Sequence, residues 1–515
     1  MTESPHLLES PGLPEHGGSP ADVLAALAAL RGDDVPHEGG RLFAYVFEHG
    51  DADLSRLQQA AFAAFSAVNA LDPTAFPSVA AMENDVVGAL LDVFAAPPDA
   101  VGTFTSGGTE TCLLAVKSAR DSRPDTLDRA ERGELVLPES GHPAFVKAAE
   151  WLGLDVVPVP LDPVTLAPTA AGVAAALTDR TVLAVASAVS YPHGVLDPVA
   201  QIAAACRDRG VPLHVDACIG GLVLAARRDR GDDVPPFDLS VPGVVSLGVD
   251  LHKYGYTLKP ASALLFAGRD RRRASWFGYG RWAGYPIVNT TVQSTKSAGP
   301  LAAAWATFRH LGRDGYRELH GRQLAATEVL RGAVAAADGI HVLGEPAASL
   351  LAFAADTDAA GRPILDVGAV GDVLRARGWH LQAQLGYGAS PPSLHLTVDA
   401  AAADTAAALA ADLVTAVAEV RAAAPAGPPA DLVELLGGLT AEQLTPETFG
   451  VLLAAAGLAD PDDPDGRIVV DARANALLQH LDADVRRVVV TLVADRLFTP
   501  VRAAPRSAGD GGGEP

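Results

Sequence analysis

The feature that most constrains the fold of this chain is an alternation of short β-rich runs with helical segments, which extends from about Arg41 to Arg421. The β-rich runs read VGTFTSGG, GELVLPES, LDVVPVPL, TVLAVASAV, VPLHVDA, GVVSLGVD and SALLFAG. Between several of them lie helical segments such as ETCLLAVKSARD, HPAFVKAAEWLG and PVAQIAAACRDRG. This order favours a mostly parallel sheet with helices on both faces, so the sequence predicts an α/β domain with seven strands.

The chain is long enough for further parts beyond that sheet. Its 515 residues, 49% of them apolar, can fill a large catalytic domain with something smaller attached. The runs LLAFAADTD and SLHLTVDAA, separated by DVGAVGDVLRARGW, indicate a small α+β lobe, and three helices are expected near Leu432, Phe449 and Val485. The predicted parts are a mobile segment over 1–40, an N-terminal segment with the large domain over 41–310, a small α+β domain over 311–421, a linker over 422–430, a helical extension over 431–500 and a disordered tail over 501–515.

Charge and cysteine content narrow the possible partners. A net charge of -23 argues against a nucleic-acid backbone or an anionic membrane as partner, because both require an excess of Lys and Arg on one face. The sequence has neither a long apolar span nor a signal peptide, so we expect a cytoplasmic protein. Cys112, Cys206 and Cys218 form no CxxC pair, which indicates reduced thiols that pack in the core rather than a disulfide framework or a metal site.

The first of three chemical signals is TFTSGGTETCLLAVKSARD, in which an apolar strand runs into Ser106, Gly107, Gly108 and Thr109 and then into a helix. The glycines let the backbone approach a ligand, and the helix N-terminus offers free N–H groups to an anion such as phosphate. The alternative is an ordinary turn in which Thr109 caps the helix. A Walker loop is excluded, because no Gly-Lys-Ser/Thr follows at the required spacing.

The other two signals follow later strands of the same predicted sheet. In VPLHVDACIGG, Asp216 ends an apolar strand, where open α/β sheets form their ligand crevices, although an aspartate there is also a common helix N-cap. In LGVDLHKYGYTLKPASALLF, Lys253 follows the next strand. Such a lysine is either a stem lying along the surface or an amine kept dry for its chemistry.

One cofactor accounts for all three signals together. Pyridoxal phosphate needs an amine for its aldehyde, a carboxylate for its pyridinium nitrogen and N–H groups for its phosphate. Lys253, Asp216 and the turn from Ser106 to Thr109 supply these groups. A fourth residue, His142 in LPESGHPAFVKAAEWLG, fits as a ring that stacks on the pyridine, although a histidine at such a turn is more often a cap or a surface residue.

These motifs, in this order, resemble the pyridoxal-phosphate-dependent decarboxylases of fold type I, and within them the sphingosine-1-phosphate lyase branch. The resemblance extends from roughly Gly40 to Arg421 and is carried by NALDPTAFPSVAAMENDVV, FTSGGTETCLLAVKSARD, SGHPAFVKAA, SYPHGVLDPV, PLHVDACIGG, DLHKYGYTLKPASALLF and GWHLQAQLGYGASPPSLHLTVDA. It implies Lys253 as the Schiff-base lysine, Asp216 as the pyridinium partner, His142 as the stacking ring, and Gly108, Thr109 and His252 as phosphate contacts.

The resemblance also implies a homodimer whose active sites take residues from both subunits. The stretch NTTVQSTKSAG is similar to the loop that crosses to the neighbour's phosphate, which adds Thr295 to the expected cofactor contacts. Some positions depart from the lyase pattern. The lyases carry a histidine at Asp72, a tyrosine at Phe47 and a Gly-Ser-Arg pattern at 294–296, and their N-terminal membrane helix has no counterpart. Asp72 would suit a substrate with a distal amine, or it is a turn residue before proline.

We therefore predict a pyridoxal-phosphate-dependent carbon–carbon lyase that acts on a small-molecule amine or amino acid. The main prediction is an amino-acid decarboxylase, and the alternative is an aldehyde-lyase that cleaves by a retro-aldol reaction. DLHKYGY and FTSGGTE disfavour an aminotransferase, and the joint presence of Lys253, Asp216 and His142 disfavours a non-catalytic cofactor-binding protein.

Overall fold

The computed structural model describes residue 14 and residues 16–123, 132–423, 438–446, 448–450 and 471–499. The chain divides into two units, one of residues 37–425 and one of residues 1–36 together with 426–515. The predicted tail over 501–515 and the predicted linker from 424 onwards lie outside the described residues. The predicted domain boundaries stay predictions.

A seven-stranded sheet forms the centre of the unit 37–425. Its strands are β1 (Val101–Thr105), β2 (Glu134–Pro138), β3 (Asp155–Val159), β4 (Thr181–Ser187), β5 (Leu213–Asp216), β6 (Val244–Asp250) and β7 (Ser262–Phe266). They lie in the order β1-β7-β6-β5-β4-β2-β3, and β7 alone among them runs antiparallel to its neighbours. Each of the seven predicted runs forms one of these strands, so the mostly parallel sheet is confirmed.

The strands are buried because helices cover the sheet on both faces. Every residue of β4, with the sequence TVLAVAS, and every residue of β7, with the sequence SALLF, is buried. Continuous apolar strands of this kind are typical of sheets that have no face in water. Their burial fixes the carboxyl ends of β5 and β6 side by side, with Asp216 in register with Gly248.

The helices surround this sheet or belong to the smaller parts of the chain. Those within the described residues are α1 (Pro20–Leu30), α2 (Ala52–Phe65), α3 (Pro77–Val93), α4 (Gly108–Asp121), α5 (Pro143–Leu152), α6 (Ala170–Ala176), α7 (Val199–Asp208), α8 (Gly221–Asp229), α9 (Arg269–Ser275), α10 (Gly299–Ala336), α11 (Val367–Ala376), α12 (Ala406–Ala422), α13 (Ala472–His480) and α14 (Ala483–Phe498). Helix α10 is bent at Gly312, whose φ of 55° lies outside the helical range. None of the described helices is both long enough and apolar enough to cross a membrane.

A smaller lobe follows the large sheet. A ribbon of β8 (Phe277–Tyr279) and β9 (Ile287–Asn289) precedes α10. The lobe is an antiparallel sheet of β10 (Ile340–Val342), β11 (Leu350–Ala355), β12 (Gln382–Gln384) and β13 (Ser393–Thr397), in the order β10-β11-β13-β12. Apolar residues of α11, α12 and the second half of α10 pack with this sheet in a core that includes Phe353 and Trp379. The predicted α+β lobe is confirmed.

The other unit has a small apolar core of its own. Leu444, Phe449, Leu477, Leu481 and Val485 are buried together in it. Helix α14 contains Val485, as predicted, whereas the helix predicted near Leu432 lies outside the described residues. The predicted helical C-terminal segment is confirmed where the structure describes it.

Candidate active site

A cavity of about 240 Å³ opens at the carboxyl ends of the parallel strands. This is the position at which open α/β sheets bind their ligands. The cavity is lined by Gly108, Thr109, Cys112, His142, Ser187, Val189, Tyr191, Asp216, Cys218, Ile219, Asp250, His252 and Lys253. The structure therefore brings together six of the nine residues that the sequence predicts for catalysis or cofactor binding.

Lys253 lies in the turn that follows β6. Tyr254 and Tyr256, the first and third residues after Lys253, are each 1% exposed and anchor this turn in the core. The Lys253 side chain is 23% exposed, and its Nζ lies 2.8 Å from Oδ2 of Asp250, whose side chain is 2% exposed. Lys253 is therefore a cavity amine and not a stem lying along the surface.

The charges of Lys253 and Asp250 stabilise each other. Burial alone would lower the pKa of Lys253, but the negative charge of Asp250 outweighs it and raises that pKa above its ordinary value. Burial alone would raise the pKa of Asp250, but the charge of Lys253 keeps it below its ordinary value. Ser262 Oγ donates a hydrogen bond of 2.5 Å to Oδ1 of Asp250. The two groups form a buried ion pair at neutral pH.

Asp216 ends β5 with its carboxylate turned into the cavity. Its Oδ1 accepts a hydrogen bond of 3.0 Å from the Cys218 N–H, which orients the carboxylate. Its Oδ2 accepts no hydrogen bond from any residue that the structure describes. The next helix, α8, has Gly220 as its N-cap, so Asp216 is not a helix cap. One oxygen is left free to accept a proton donor from a ligand.

The turn between β1 and α4 brings a helix N-terminus to the cavity. Gly107 is the N-cap with φ of 148°, a conformation that favours glycine, so Thr109 lies within the first turn and does not cap the helix. A Cβ on Gly108 would lie 2.8 Å from Oδ2 of Asp250. The missing side chain thus lets the first N–H groups of α4, which have no partner within the helix, face the cavity next to Asp250.

Two histidines complete the wall. Partial removal from water lowers the pKa of each ring below its ordinary value, so both are mainly neutral at pH 7, and His142 still keeps an exposed surface in the single chain. His142 is the N-cap of α5, and its Nδ1 accepts a hydrogen bond of 3.2 Å from the Ala144 N–H. The proton of the neutral ring is therefore on Nε2. The cap role and the predicted position beside the cofactor are compatible, because one nitrogen serves the helix while the ring lines the cavity.

Three predicted cofactor contacts do not line this cavity. Ser106 donates its backbone N–H to Oε2 of Glu110 at 2.6 Å, so that N–H is already used within the protein. Gly107 lies next to the ring of His252 but not in the cavity lining, and Thr295 lies in an exposed part of the loop before α10. A cofactor contact from Thr295 is not seen within a single chain and stays a prediction for a second copy.

Two of the positions that depart from the lyase pattern, Asp72 and Phe47, also lie away from the cavity lining. Asp72 is exposed, and its Oδ1 accepts hydrogen bonds from the N–H of Thr74 at 2.9 Å and from the Thr74 hydroxyl at 2.5 Å. These bonds hold the pKa of Asp72 below its usual range. Phe47 packs edge-on against Tyr254, with ring centroids 4.9 Å apart. Within this chain Asp72 is therefore a turn residue, as in the second of the two interpretations that the sequence allowed.

The sequence analysis missed two residues that matter in the cavity. Asp250 ends β6 in the same way as Asp216 ends β5, so the strand-end rule that selected Asp216 could have found it as well. Tyr191 lines the cavity and donates a hydrogen bond of 2.5 Å to Oε1 of Gln382 in the small lobe. Its motif, SYPHGVLDPV, gave no signal for a chemical role.

This donor set fits pyridoxal phosphate. The cavity offers an amine, a carboxylate oxygen without a partner, a neutral imidazole and a helix N-terminus whose glycine leaves room for a ligand. No cluster of three or more His, Cys, Asp or Glu side chains suited to a metal ion occurs among the described residues. Lys253, Asp216, His142 and the N-terminus of α4 are therefore the groups that could hold the cofactor.

Similarity to known proteins points to the same chemistry. Residues 52–356 match the pyridoxal-dependent decarboxylase conserved domain. The chain is 33% identical over 388 residues to sphingosine-1-phosphate lyase of Dictyostelium discoideum, which covers 75% of this chain and 70% of that protein. The structure of a Burkholderia pseudomallei sphingosine-1-phosphate lyase superposes with a TM-score of 0.74 and 32% identity, and covers 80% of this chain and 93% of that one.

A decarboxylase is also similar, but at lower identity. The probable L-aspartate decarboxylase of Pyrococcus furiosus is 28% identical over 376 residues, which covers 73% of this chain and 95% of that protein. The higher identity to the lyases favours the aldehyde-lyase alternative over the amino-acid decarboxylase that was the main prediction from sequence.

Proposed function

The chain belongs to the pyridoxal-dependent decarboxylase family and is a pyridoxal-phosphate-dependent lyase, and from this premise we propose that it is an aldehyde-lyase similar to the sphingosine-1-phosphate lyases. Its substrate would be a phosphorylated amino alcohol with a hydroxyl group next to the amine-bearing carbon. The observation that carries this proposal is the identity of 32–33% to lyases from two organisms, against 28% to the decarboxylase.

We propose that Lys253 provides the amine that bonds to the cofactor and later yields to the substrate amine. The bound cofactor supplies an electron-withdrawing ring that weakens a bond next to the substrate's amine-bearing carbon. The free oxygen of Asp216 supports a role in holding a proton on the ring nitrogen, which keeps that ring cationic. His142, neutral and fixed by its cap hydrogen bond, would stack on the ring.

The phosphate of the cofactor would lie at the N-terminus of α4. The N–H groups of Gly108 and Thr109 and the ring of His252 border that end of the cavity. Ser106 and Gly107 would contribute by shaping the turn. We further propose a homodimer with shared active sites, in which the exposed Thr295 of one copy reaches the phosphate of the other.

The choice between the two bond cleavages depends on orientation. In the retro-aldol reaction the substrate hydroxyl loses its proton, the carbon–carbon bond beside it breaks to release an aldehyde, and the amine-bearing carbon takes up a proton. In decarboxylation the bond from the amine-bearing carbon to a carboxylate would break instead, so the groups that bind the hydroxyl or the carboxylate would select the reaction. Lys253 and the neutral His142 are the groups in the cavity suited to move these protons.

A cation near the cavity suits an anionic substrate. Burial lowers the pKa of Lys259, and the positive charge of Lys253 lowers it further. Lys259 Nζ donates a hydrogen bond of 2.6 Å to the backbone oxygen of Tyr45. This exposed ammonium would attract the phosphate of a substrate that approaches the cavity, an interaction that an amino acid without a phosphate would not use.

The test incubates the holoenzyme with a phosphorylated long-chain amino alcohol and, separately, with a panel of α-amino acids, and follows products by mass spectrometry. We expect an aldehyde and a smaller phosphorylated amine from the first substrate and no carbon dioxide from the second. Carbon dioxide with the matching amine, and no aldehyde, would instead make the protein an amino-acid decarboxylase.

A further inference from the structure

The carboxylate of Glu110 joins two segments that are distant in sequence. Its Oε2 accepts the Ser106 N–H at 2.6 Å, in the turn that leads to the cavity. Its Oε1 accepts the N–H groups of Val292 at 2.8 Å and Gln293 at 3.3 Å, in the loop before α10. Glu110 is 8% exposed, so these bonds are largely shielded from water and a broken one would leave a polar group unsatisfied.

On the cavity side, this bond determines which N–H groups remain for a ligand. Glu110 lies in the first turn of α4 and reaches back to Ser106, the residue before the N-cap. It therefore fixes the turn while leaving the N–H groups of Gly108 and Thr109 free for an anion. If this bond is lost, the backbone of the turn becomes more flexible at the point where the cofactor phosphate has to be held.

On the loop side, Glu110 holds the middle of a segment that is otherwise exposed. This segment, the 291–297 loop, has exposed residues from Val292 to Thr295. Within the loop, Nζ of Lys296 donates a hydrogen bond of 2.8 Å to the hydroxyl of Thr291. The backbone oxygen of Lys296 accepts the Ala70 N–H at 2.8 Å, which ties the end of the loop to the N-terminal segment.

A second carboxylate, Glu83, and the ammonium of Lys296 also lie near this turn. Glu83 on α3 accepts the Phe104 N–H at 3.0 Å, two residues before Ser106. Burial lowers the pKa of the half-buried Lys296, and the negative charges of Glu83 and Glu110 offset only part of this lowering. A positive charge near both carboxylates offsets part of the negative charge that they place beside a phosphate site. The cavity turn and the 291–297 loop thus share one network of charges and hydrogen bonds.

We propose that Glu110 is a positioning residue that couples pyridoxal phosphate binding to the order of the 291–297 loop. The inference rests on the cofactor part of the proposed function and on no particular substrate. Since coupling between two sites is reciprocal, bound cofactor slows the opening of the loop, and an ordered loop strengthens cofactor binding. Without the Glu110 carboxylate the two events become independent.

The experiment compares the full-length protein with E110Q, E110D and the control E134Q, each with and without pyridoxal phosphate. Glutamine keeps the size of the side chain but turns one acceptor oxygen into a donor that faces an N–H group. Aspartate keeps the charge but is too short to span both segments. Glu134, at the start of β2, is 4% exposed and bonded to Thr178 and Arg180, so E134Q perturbs an equally buried carboxylate far from the cavity.

Three quantities are measured: the dissociation constant of pyridoxal phosphate, the hydrogen exchange of peptides covering residues 288–298, and Tm. In the wild-type protein we expect the cofactor to slow exchange in these peptides. In E110Q and E110D we expect cofactor binding to weaken about tenfold and the cofactor to leave exchange in these peptides unchanged. E134Q should lower Tm while keeping the wild-type response of the loop.

Three outcomes would overturn the proposal. One is a wild-type cofactor affinity and loop response in E110Q, and another is an equal loss of affinity in E134Q, which would indicate general destabilisation. A wild-type response in E110D but not in E110Q would likewise reject it, because charge alone would then account for the effect. No substrate enters these measurements, so a failure of the proposed lyase reaction leaves their result unaffected.

Discussion

The floor of the cavity and the 291–297 loop differ in how they are held. The floor consists of Asp216, Asp250 and Lys253, which are attached directly to the ends of two buried neighbouring strands and bond mainly to residues near them in the chain. The loop has no such support, and its middle is held by Glu110, which is more than 180 residues earlier in the sequence. Chemistry is thus attached to the rigid sheet, whereas the surface that surrounds it depends on long-range contacts.

The largest effect in this comparison is expected from Lys253→Ala in the floor. Removing the only lysine amine that lines the described cavity should reduce turnover on the order of 10³-fold or more, because the cofactor loses its covalent partner. Turnover of the purified variant and its absorbance with pyridoxal phosphate measure this. Lys147→Ala, on the surface of α5 over the ring of Trp151, is the control. Near-normal turnover in Lys253→Ala would contradict the assignment of the floor.

A smaller effect is expected from Asp216→Asn. The amide cannot keep a ring nitrogen protonated as a carboxylate does, so we expect turnover to fall on the order of 10²-fold while the cofactor still binds. Titration with pyridoxal phosphate, together with turnover, separates the two effects. Asp238→Asn removes a carboxylate that is fully buried but lies beside Arg228, outside the cavity, and should keep wild-type turnover. A loss of cofactor binding alone in Asp216→Asn would contradict its role in the chemistry.

Behind the floor, Asp197 makes stability depend on pH. Burial raises its pKa to about 7, while its Oδ2 accepts the Ser187 N–H at 2.7 Å. A raised folded-state pKa means that the folded protein binds the proton more tightly than the unfolded chain does. This contribution to stability is complete below the unfolded pKa of about 4 and is lost as the pH rises to about 7.

Asp197→Asn should therefore flatten the fall in the free energy of unfolding between pH 5 and pH 7, a range of about two units. The slope will not vanish, since burial also raises the pKa of Asp399 in the same unit to about 7. Urea unfolding at several pH values measures the slope. An unchanged slope in Asp197→Asn would show that this carboxyl group does not titrate in that range.

The smallest effect is expected at the exposed turn. Asp72→Asn keeps the acceptor oxygen that bonds to Thr74. Turnover should therefore stay within about twofold of wild type, and the free energy of unfolding should be nearly unchanged. Steady-state kinetics on the proposed substrate checks this, with Asp72→Ala as the variant that removes the turn hydrogen bonds. A change above about tenfold in Asp72→Asn would mean that the carboxylate reaches an active site, in which case the exposed surface contributes more than the comparison implies.

The sequence predicts the floor better than its surroundings, for a physical reason. Seven apolar runs separated by helices define a parallel sheet, and residues at the ends of its strands must meet at one edge. Asp216, Lys253 and the N-terminus of α4 follow from that rule, and Asp250 would have followed had the rule been applied to β6. These positions depend only on strand order and strand ends.

The residues around the floor depend on contacts that no local pattern records. The sequence around Ser106 fits an anion-binding turn, yet the Ser106 N–H donates its hydrogen bond to Glu110. Only the direction of the Glu110 side chain in the fold decides this. Thr295 and Asp72 belong to motifs that resemble the lyases, but both are exposed and neither lines the cavity of its own chain. Loop positions of this kind cannot be derived from periodicity, because their neighbours are set by the tertiary fold.

The close approach of Gly108 to Asp250 has a consequence for the evolution of this site. A methyl group at Gly108 would lie 2.8 Å from the carboxylate, so a side chain at position 108 requires Asp250 to move or to be replaced by a shorter residue. Related sequences should vary at these two sites as a pair, with a side chain at 108 found only where residue 250 is shorter. A random library built on Gly108 would be expected to yield active clones only from a background already altered at Asp250, and the order in which the two mutations arise would decide which paths selection can follow.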